Sequence, residues 1–363
     1  MDTQISEKFE VLSSYGSYEV TITDESSQFF NVLNECSIIL CDSYFKNSKF
    51  LKKCDKEIIF IDPVESNKSL KKIEELSELL SSFKLSRNSI LGVMGGGIVQ
   101  DLGGFTASIF MRGIDWNLFP TSYLSMVDSC IGGKTSINTL NTKNLLGTFT
   151  PPKKVFCNIR LAETLDDNEI KQGLIESLKI TYVFKKYFKN SIFLVQQALK
   201  KDIQSLKEIC AYSLLSKKTI IEKDEFDHNE RRLLNIGHTF GHAIEKASNH
   251  KISHGFAVGI GILIAFEFSK RNNLCQKKHS ILDLCLIIET LIPNNIFDLL
   301  SLVKLNDFTL ALEIDKKHDK EYLRFILPTN NFIEVISYKR TELELKKAFS
   351  FFNKSNEIRH ILK

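Results

Sequence analysis

An α/β domain of nucleotide-binding type followed by a mainly α-helical domain is the fold that three features of this sequence predict. Its 363 residues exceed what one ordinary hydrophobic core organises, so two domains are expected. Up to about Asn158, short apolar runs alternate with helix-length amphipathic segments, the pattern of a parallel sheet with crossover helices. After Leu161 the glycine and proline content falls, and long helical patterns dominate to about Leu312.

The run Cys36–Cys41 (CSIILC) reads as a buried strand ending at Asp42, Glu57–Asp62 (EIIFID) as a second and Ser89–Gly95 (SILGVMG) as a third. Between the last two, Lys68–Phe83 sets Leu70, Ile73, Leu76, Leu79 and Leu80 at helical spacing with charges opposite. Gly95, Gly96 and Gly97 follow a strand and open a helix that contains Asp101. Without Cβ atoms, backbone N–H groups there can approach a phosphate, and the helix dipole adds attraction. The cluster is not GxGxxG, so pattern alone leaves a tight turn and a dinucleotide site both open. Asp42 is likewise placed either for a ribose hydroxyl or as an N-cap for the segment after it. Tyr322–Ile336 reads as a late strand pair, and the charged stretch from Arg340 as a surface helix.

Composition excludes several classes of partner. A net charge of +4 is too small for a nucleic-acid footprint, and the longest apolar run, Phe256–Phe266, is too short to span a bilayer. The start MDTQISEKFEV has no basic region followed by an apolar core, so no signal peptide is read there. Eight cysteines without a CxxC pair fit free thiols in a reducing, cytoplasmic setting.

The chemistry concentrates in Arg231–Gly255, where His238, His242, His250 and His254 fall within seventeen residues. His238 and His242 are four apart and share a helix face, and with no Cys nearby any metal would have nitrogen and oxygen ligands, which suits zinc. Two core histidines satisfied by carbonyls would show the same spacing. From Arg112 to Phe149, Arg112, Asp128, Lys134, Lys143 and Asn144 lie among Gly132, Gly133 and Gly147, as a pocket for a phosphorylated, hydroxyl-rich ligand requires. Glu176 and Lys179, three apart, form either an exposed ion pair or, through Glu176, the third ligand of a His, His, Glu site.

The segments GGGIVQDLGGFTASIFMRG, PTSYLSMVDSCIGGKTSIN, KNLLGTF, GLIESLK, RRLLNIGHTFGHAIE and SHGFAVGIG resemble, in order and spacing, the motifs of the 3-dehydroquinate synthases and their sugar-phosphate cyclase relatives. The resemblance runs from about residue 36 to about residue 330. It implies a Rossmann-like NAD-binding domain over 1–159, a mainly helical metal-binding domain over 160–363, and an active site in the cleft between them. It assigns zinc or cobalt to Glu176, His238 and His254, with His242 a neighbouring site residue. NAD would contact Asp42, Glu65, Lys68, Gly96, Gly97, Asp101, Thr121, Ser122, Asp128 and Thr164, with Lys143 near both ligands. Arg112, Lys134, Asn144, Lys179, Lys217, Arg231, Asn235 and Lys316 would hold a phosphorylated sugar acid. Lys134, Lys179, Arg231, Asn235 and His242 would also serve the reaction, the last two in positioning and proton movement. The implied activity is conversion of 3-deoxy-D-arabino-heptulosonate 7-phosphate into 3-dehydroquinate by transient oxidation, phosphate elimination, reduction and aldol closure. A homodimer is implied, because the residue matching Arg112 reaches a partner's site in the family.

Departures accompany the match. Phe256 stands where the family's acid follows the last histidine ligand, Asn229 replaces a glycine, PVESNKSL keeps only Glu65 and Lys68 of its turn, and NNFIEV lacks a late glycine. Retention of GGK at Gly132–Lys134 and of Lys143–Asn144 favours the dehydroquinate substrate. The alternatives are a divergent cyclase of another sugar phosphate, a metal-dependent polyol dehydrogenase of glycerol dehydrogenase type and, last, a catalytically inactive binding protein.

Overall fold

A computed structural model describes residues 7–140, 142–276, 280–314, 318–341, 343 and 345–353. In chain order its strands and helices are β1 (Lys8–Ser13), β2 (Gly16–Thr23), α1 (Ser26–Leu33), β3 (Ile38–Asp42), β4 (Ile58–Ile61), α2 (Leu70–Ser82), β5 (Ile90–Gly95), α3 (Gly97–Ile109), β6 (Asp115–Pro120), β7 (Lys134–Ile137), β8 (Leu146–Phe149) and β9 (Lys154–Asn158). There follow α4 (Asp167–Val183), α5 (Phe188–Ala198), α6 (Ile203–Ile221), α7 (His238–Ala247), α8 (His254–Arg271), α9 (Ile281–Leu291), α10 (Asn294–Ser301), α11 (Leu305–Glu313), β10 (Tyr322–Pro328), β11 (Ile333–Lys339) and α12 (Leu345–Ala348). Met1–Gly173 and Phe193–Phe226 form one compact unit, Leu174–Ile192 and Asp227–Lys363 the other.

The first unit is built on a seven-stranded sheet of order β1-β2-β9-β6-β5-β3-β4, parallel except for the β1–β2 pair. The three expected strands are β3, β4 and β5, and the expected amphipathic helix is α2, capped by Ser69, whose Oγ accepts the Lys72 N–H at 3.3 Å. Only Ile73, Leu76 and Leu80 of its apolar stripe are buried, so the core face is narrower than the spacing indicated. α3 lies close on the sheet because Gly103 has no side chain: a Cβ there would stand 2.5 Å from Val93. The expected break at 159/160 falls inside this unit. α6 belongs to it because the Tyr123 hydroxyl donates to the Leu206 carbonyl at 3.0 Å and Ser213 Oγ to the Val127 carbonyl at 2.7 Å. Just beyond α6, Glu222 accepts the N–H of Leu12 in the edge strand β1 at 2.9 Å, and Glu225 accepts that of Ser14 in the turn after it at 2.8 Å.

Among the described residues the second unit is mainly helical, with the antiparallel β10–β11 pair bearing out the late strand pair. At its centre α8 is buried continuously from Gly255 to Ser269, as a helix apolar on all sides must be. The C-terminal stretch corrects the surface-helix expectation. Among the described residues there, the short α12 is followed by a 3-10 turn at Ser350–Asn353, and Phe349 is fully buried, stacked on Phe268 with ring centroids 4.9 Å apart and contacting Phe240 and Phe308 at 5.4 and 5.7 Å. The aromatic burial outweighs the charge pattern that suggested a solvated helix. Among the described residues no single helix is long and apolar enough to cross a membrane. All eight cysteines are free thiols.

Phe349→Ala removes the ring that joins these aromatics, and the expected loss is about 3–5 kcal/mol of unfolding free energy, read by urea denaturation.

Candidate functional site

In the first unit the strand order reverses between β3 and β5: from β3 the chain passes to β4 on one side and then to β5 on the other. Crevices of this kind, at the carboxyl ends of parallel strands, are where such sheets bind nucleotides. Asp42 ends β3, Gly96 and Gly97 follow β5, and Thr121 and Ser122 follow β6, so five expected cofactor residues stand at strand carboxyl ends. Gly96 is the N-cap of α3, and a Cβ on Gly97 would meet nothing within 4 Å, which leaves the first turn open to a bulky anion. Thr121 donates its N–H to the Gly95 carbonyl at 3.1 Å, and Ser122 Oγ pairs with Ser125 Oγ at 2.9 Å. Asp42 does serve as a cap, its Oδ1 accepting the Tyr44 N–H at 2.9 Å. Burial pushes its carboxyl up, and that hydrogen bond offsets part of the rise.

Beside the crevice, residues from separate stretches form one polar network. The buried Lys68 ammonium donates to Asp101 Oδ2 at 2.6 Å, to Asn144 Oδ1 and to Ser136 Oγ at 3.4 Å, while the Ser136 N–H donates to Asp101 Oδ1 at 2.9 Å. Asn138 extends it, accepting the Asn144 N–H at 2.8 Å and donating to Glu65 Oε1 at 2.8 Å, with Lys143 Nζ 4.0 Å from the same oxygen. Burial pushes the Asp101 carboxyl above its usual range against the pull of Lys68 and Ser136. Ser136 and Asn138 were not singled out from the sequence; lying inside the TSIN of the matched motif was their only signal.

Asp128 sits in a π-helical turn, Ser125–Ser129, a conformation frequent at functional sites. Lys217 of α6 locks that turn: its Nζ contacts Asp128 Oδ1 at 2.8 Å and donates to the carbonyls of Asp128 and Ile131 at 2.6 and 3.1 Å. Lys134 is exposed, 6.0 Å over the Phe149 ring, and Thr164 Oγ1 donates to the Leu161 carbonyl at 2.7 Å. Arg112 projects from three successive residues of positive φ, Met111 at 51°, Arg112 at 70° and Gly113 at 111°. For Met111 and Arg112 this backbone is unfavourable, and such strain concentrates at functional positions.

In the second unit, Glu176 of α4, His238 at the start of α7 and His254 at the start of α8 each offer a ligand atom, all within 4.8 Å of one another. Glu176 and Lys179 are both 1% exposed, so their pair belongs to the interior and not to a solvated surface. Lys179 donates to Glu176 Oε1, whereas Glu176 Oε2 is buried with no hydrogen-bond partner among the described residues. A buried carboxylate oxygen facing two imidazoles is the donor set a divalent cation takes. His242 is exposed, its ring 5.6 Å from that of His238 and 5.9 Å from that of His254. The i, i+4 spacing therefore put two histidines on one helix face but did not identify the triad. Burial works against charge on His254, yet its hydrogen bond to Glu245 and the charges of Glu245 and Glu176 hold its pKa above that of a free imidazole. Glu245 was not singled out from the sequence; its place seven residues after His238 on one helix face was the available signal. Arg231 is buried and Asn235 half-buried, donating through Nδ2 to the Arg232 carbonyl at 3.2 Å. Lys316 lies outside the described residues.

Glycines bring α7 and α8 together. A Cβ on Gly261 would fall 2.1 Å from the Gly237 carbonyl oxygen, and one on Gly241 3.0 Å from that of Ala257. Gly237 itself, at φ +78°, starts α7 from a left-handed cap that puts His238 in its first turn.

Comparison with known proteins fits this geometry. Residues 58–172 match the family model for the 3-dehydroquinate synthase N-terminal domain, and residues 170–318 that for the C-terminal domain. The 3-dehydroquinate synthase of Dictyoglomus turgidum is 38% identical over 279 residues, 76% of each chain. The chain belongs to the 3-dehydroquinate synthase family. The Prochlorococcus marinus member is 36% identical over 335 residues, covering 87% of this chain and 91% of that one. A crystal structure of 2-deoxy-scyllo-inosose synthase complexed with carbaglucose-6-phosphate, NAD+ and Co2+ superposes with a TM-score of 0.79 over 97% of this chain and 99% of its own. At 20% identity that likeness shows the shared cyclase fold. The curated relatives favour dehydroquinate synthase over the alternatives of another cyclase or a polyol dehydrogenase.

Gly261→Ala forces α7 and α8 apart, with an expected loss of about 1–3 kcal/mol measured by thermal unfolding, and weakened cobalt binding as the triad separates.

Proposed function

We propose that this chain converts 3-deoxy-D-arabino-heptulosonate 7-phosphate into 3-dehydroquinate and phosphate, with NAD and a divalent cation, zinc or cobalt, as its cofactors. The observation that carries the reading is the cluster of buried Glu176 with half-buried His238 and His254, in which Glu176 Oε2 has no hydrogen-bond partner among the described residues, in a family member by sequence. When bound, the cation would acidify substrate hydroxyls and NAD would take up and return a hydride, so the nucleotide is recycled.

The chain's own residues supply placement. The open first turn of α3 at Gly96–Gly97, with Asp42, Thr121 and Ser122 at neighbouring strand ends, would hold the nucleotide. Glu65, Lys68, Asp101 and Lys143 would flank it, together with Asp128 and Thr164. Lys134, Asn144, Lys217, Arg231 and Lys316 would orient the phosphate and carboxylate, with Lys179 holding substrate beside Glu176. A phosphate oxygen of the substrate serves as base for the elimination, so the enzyme's task there is orientation. His242 and Asn235 would position hydroxyls and pass protons. The exposed, strained Arg112 supports delivery of a guanidinium to a second copy's site in a homodimer. The eight free thiols support a reducing cytoplasmic setting.

Purified protein loaded with zinc, given the heptulosonate phosphate and catalytic NAD, should release phosphate in excess of NAD without accumulating NADH. His254→Ala should abolish this; absence of release from a metal-replete, NAD-binding protein would remove the substrate assignment. Mixing inactive Arg112→Ala with inactive His254→Ala should restore activity through hybrid dimers. No recovery after subunit exchange would argue against the shared site.

A further inference from the structure

A histidine offers a metal one lone pair, and the nitrogen that offers it is decided by where the ring's proton sits. For His254 one contact bears on this: Nδ1 lies 3.2 Å from Oε2 of Glu245. A carboxylate at that distance accepts the Nδ1 proton and leaves Nε2 bare. We infer that Glu245 is the positioning residue that holds His254 in its Nδ1–H tautomer and aims Nε2 toward the seat formed with Glu176 and His238. The inference rests on the metal reading above and extends it to a residue outside the ligand triad.

The surroundings explain why this role falls to Glu245. The first turn of α8, which His254 opens, carries no acidic residue, and Phe256 two positions on is apolar and 2% exposed. Among the described residues, the carboxylates grouped with His254 are those of Glu176 and Glu245. Glu176 has one oxygen on Lys179 and the other without a partner among the described residues, which fits it for the ligand role. Glu245 stands about two turns along α7 from His238. The connection after it is wound tightly: the His250 N–H donates to the Glu245 carbonyl at 2.7 Å, and Asn249 and His250 both take left-handed φ, 52° and 59°. That winding returns the chain so that the first residue of α8 meets the Glu245 side chain.

A competing assignment exists in the same atoms. His242, Glu245 and His254 also offer ligand atoms within 4.8 Å of one another, which would make Glu245 a ligand in a second seat. Titration of the metal-free full chain with Co2+, followed by visible absorption and by metal content after dialysis, separates the two. The expected result is one Co2+ per chain for wild type and for Glu245→Gln, with affinity weakened about 10–100-fold in the variant and its visible bands shifted. Glu245→Asp, which keeps the charge, should recover part of the affinity, and circular dichroism should show both variants folded. Unchanged affinity and spectrum in Glu245→Gln overturns the inference. So does a second Co2+ in wild type that the variant loses. A wild-type chain that takes up no Co2+ overturns both this inference and the metal reading beneath it.

Discussion

The second unit depends on a carboxylate that is buried before its charge is fully matched. Glu176 is 1% exposed, Lys179 neutralises one of its oxygens, and the other has no donor among the described residues. An ion that is desolvated and incompletely hydrogen-bonded costs several kcal/mol. Among the described residues His238 and His254 each offer a ligand atom within 4.8 Å of the others in the group, and the proposed cation would supply the partner that the second oxygen lacks. The close passage of α7 and α8 at Gly241 and Gly261 places those imidazoles, and the Glu245 contact turns one of them.

The first unit solves the opposite problem. Its polar residues are already bonded to one another: Lys68 holds Asp101, Ser136 and Asn144, and Lys217 holds the turn that carries Asp128. A ligand that takes one of these groups must replace a charge-assisted hydrogen bond of about 1.5–3 kcal/mol, which selects for ligands able to return the same bonds. The backbone at Gly97 is different, since a Cβ there would meet nothing within 4 Å. One unit presents an open helix N-terminus flanked by a bonded polar network, the other a buried acid with one oxygen unpartnered among the described residues.

The legible parts of the sequence were those with local causes. The runs CSIILC, EIIFID and SILGVMG became β3, β4 and β5, because a buried parallel strand needs an uninterrupted apolar stretch. The C-terminal stretch misled because its charges are frequent, while burial was decided by a few aromatics, Phe349 above all, that meet Phe240, Phe268 and Phe308 from distant positions. At the site, spacing joined His238 to His242, but His254 lies on another helix and only the motif resemblance reached it. Lys179 looked like half of a surface pair because charge says nothing about burial.

By itself the sequence determined the α/β-then-helical order, the family, and the residue types at the site, since these rest on periodicity and on motifs contiguous in the chain. Tertiary structure alone decided that residues 193–226 join the first unit, that Lys68, Asp101, Ser136, Asn138 and Asn144 share one network, and that Glu245 faces Nδ1 of His254. Each of these depends on contacts between residues far apart in the chain, or on the winding of a single loop. Local propensity carries no information about either.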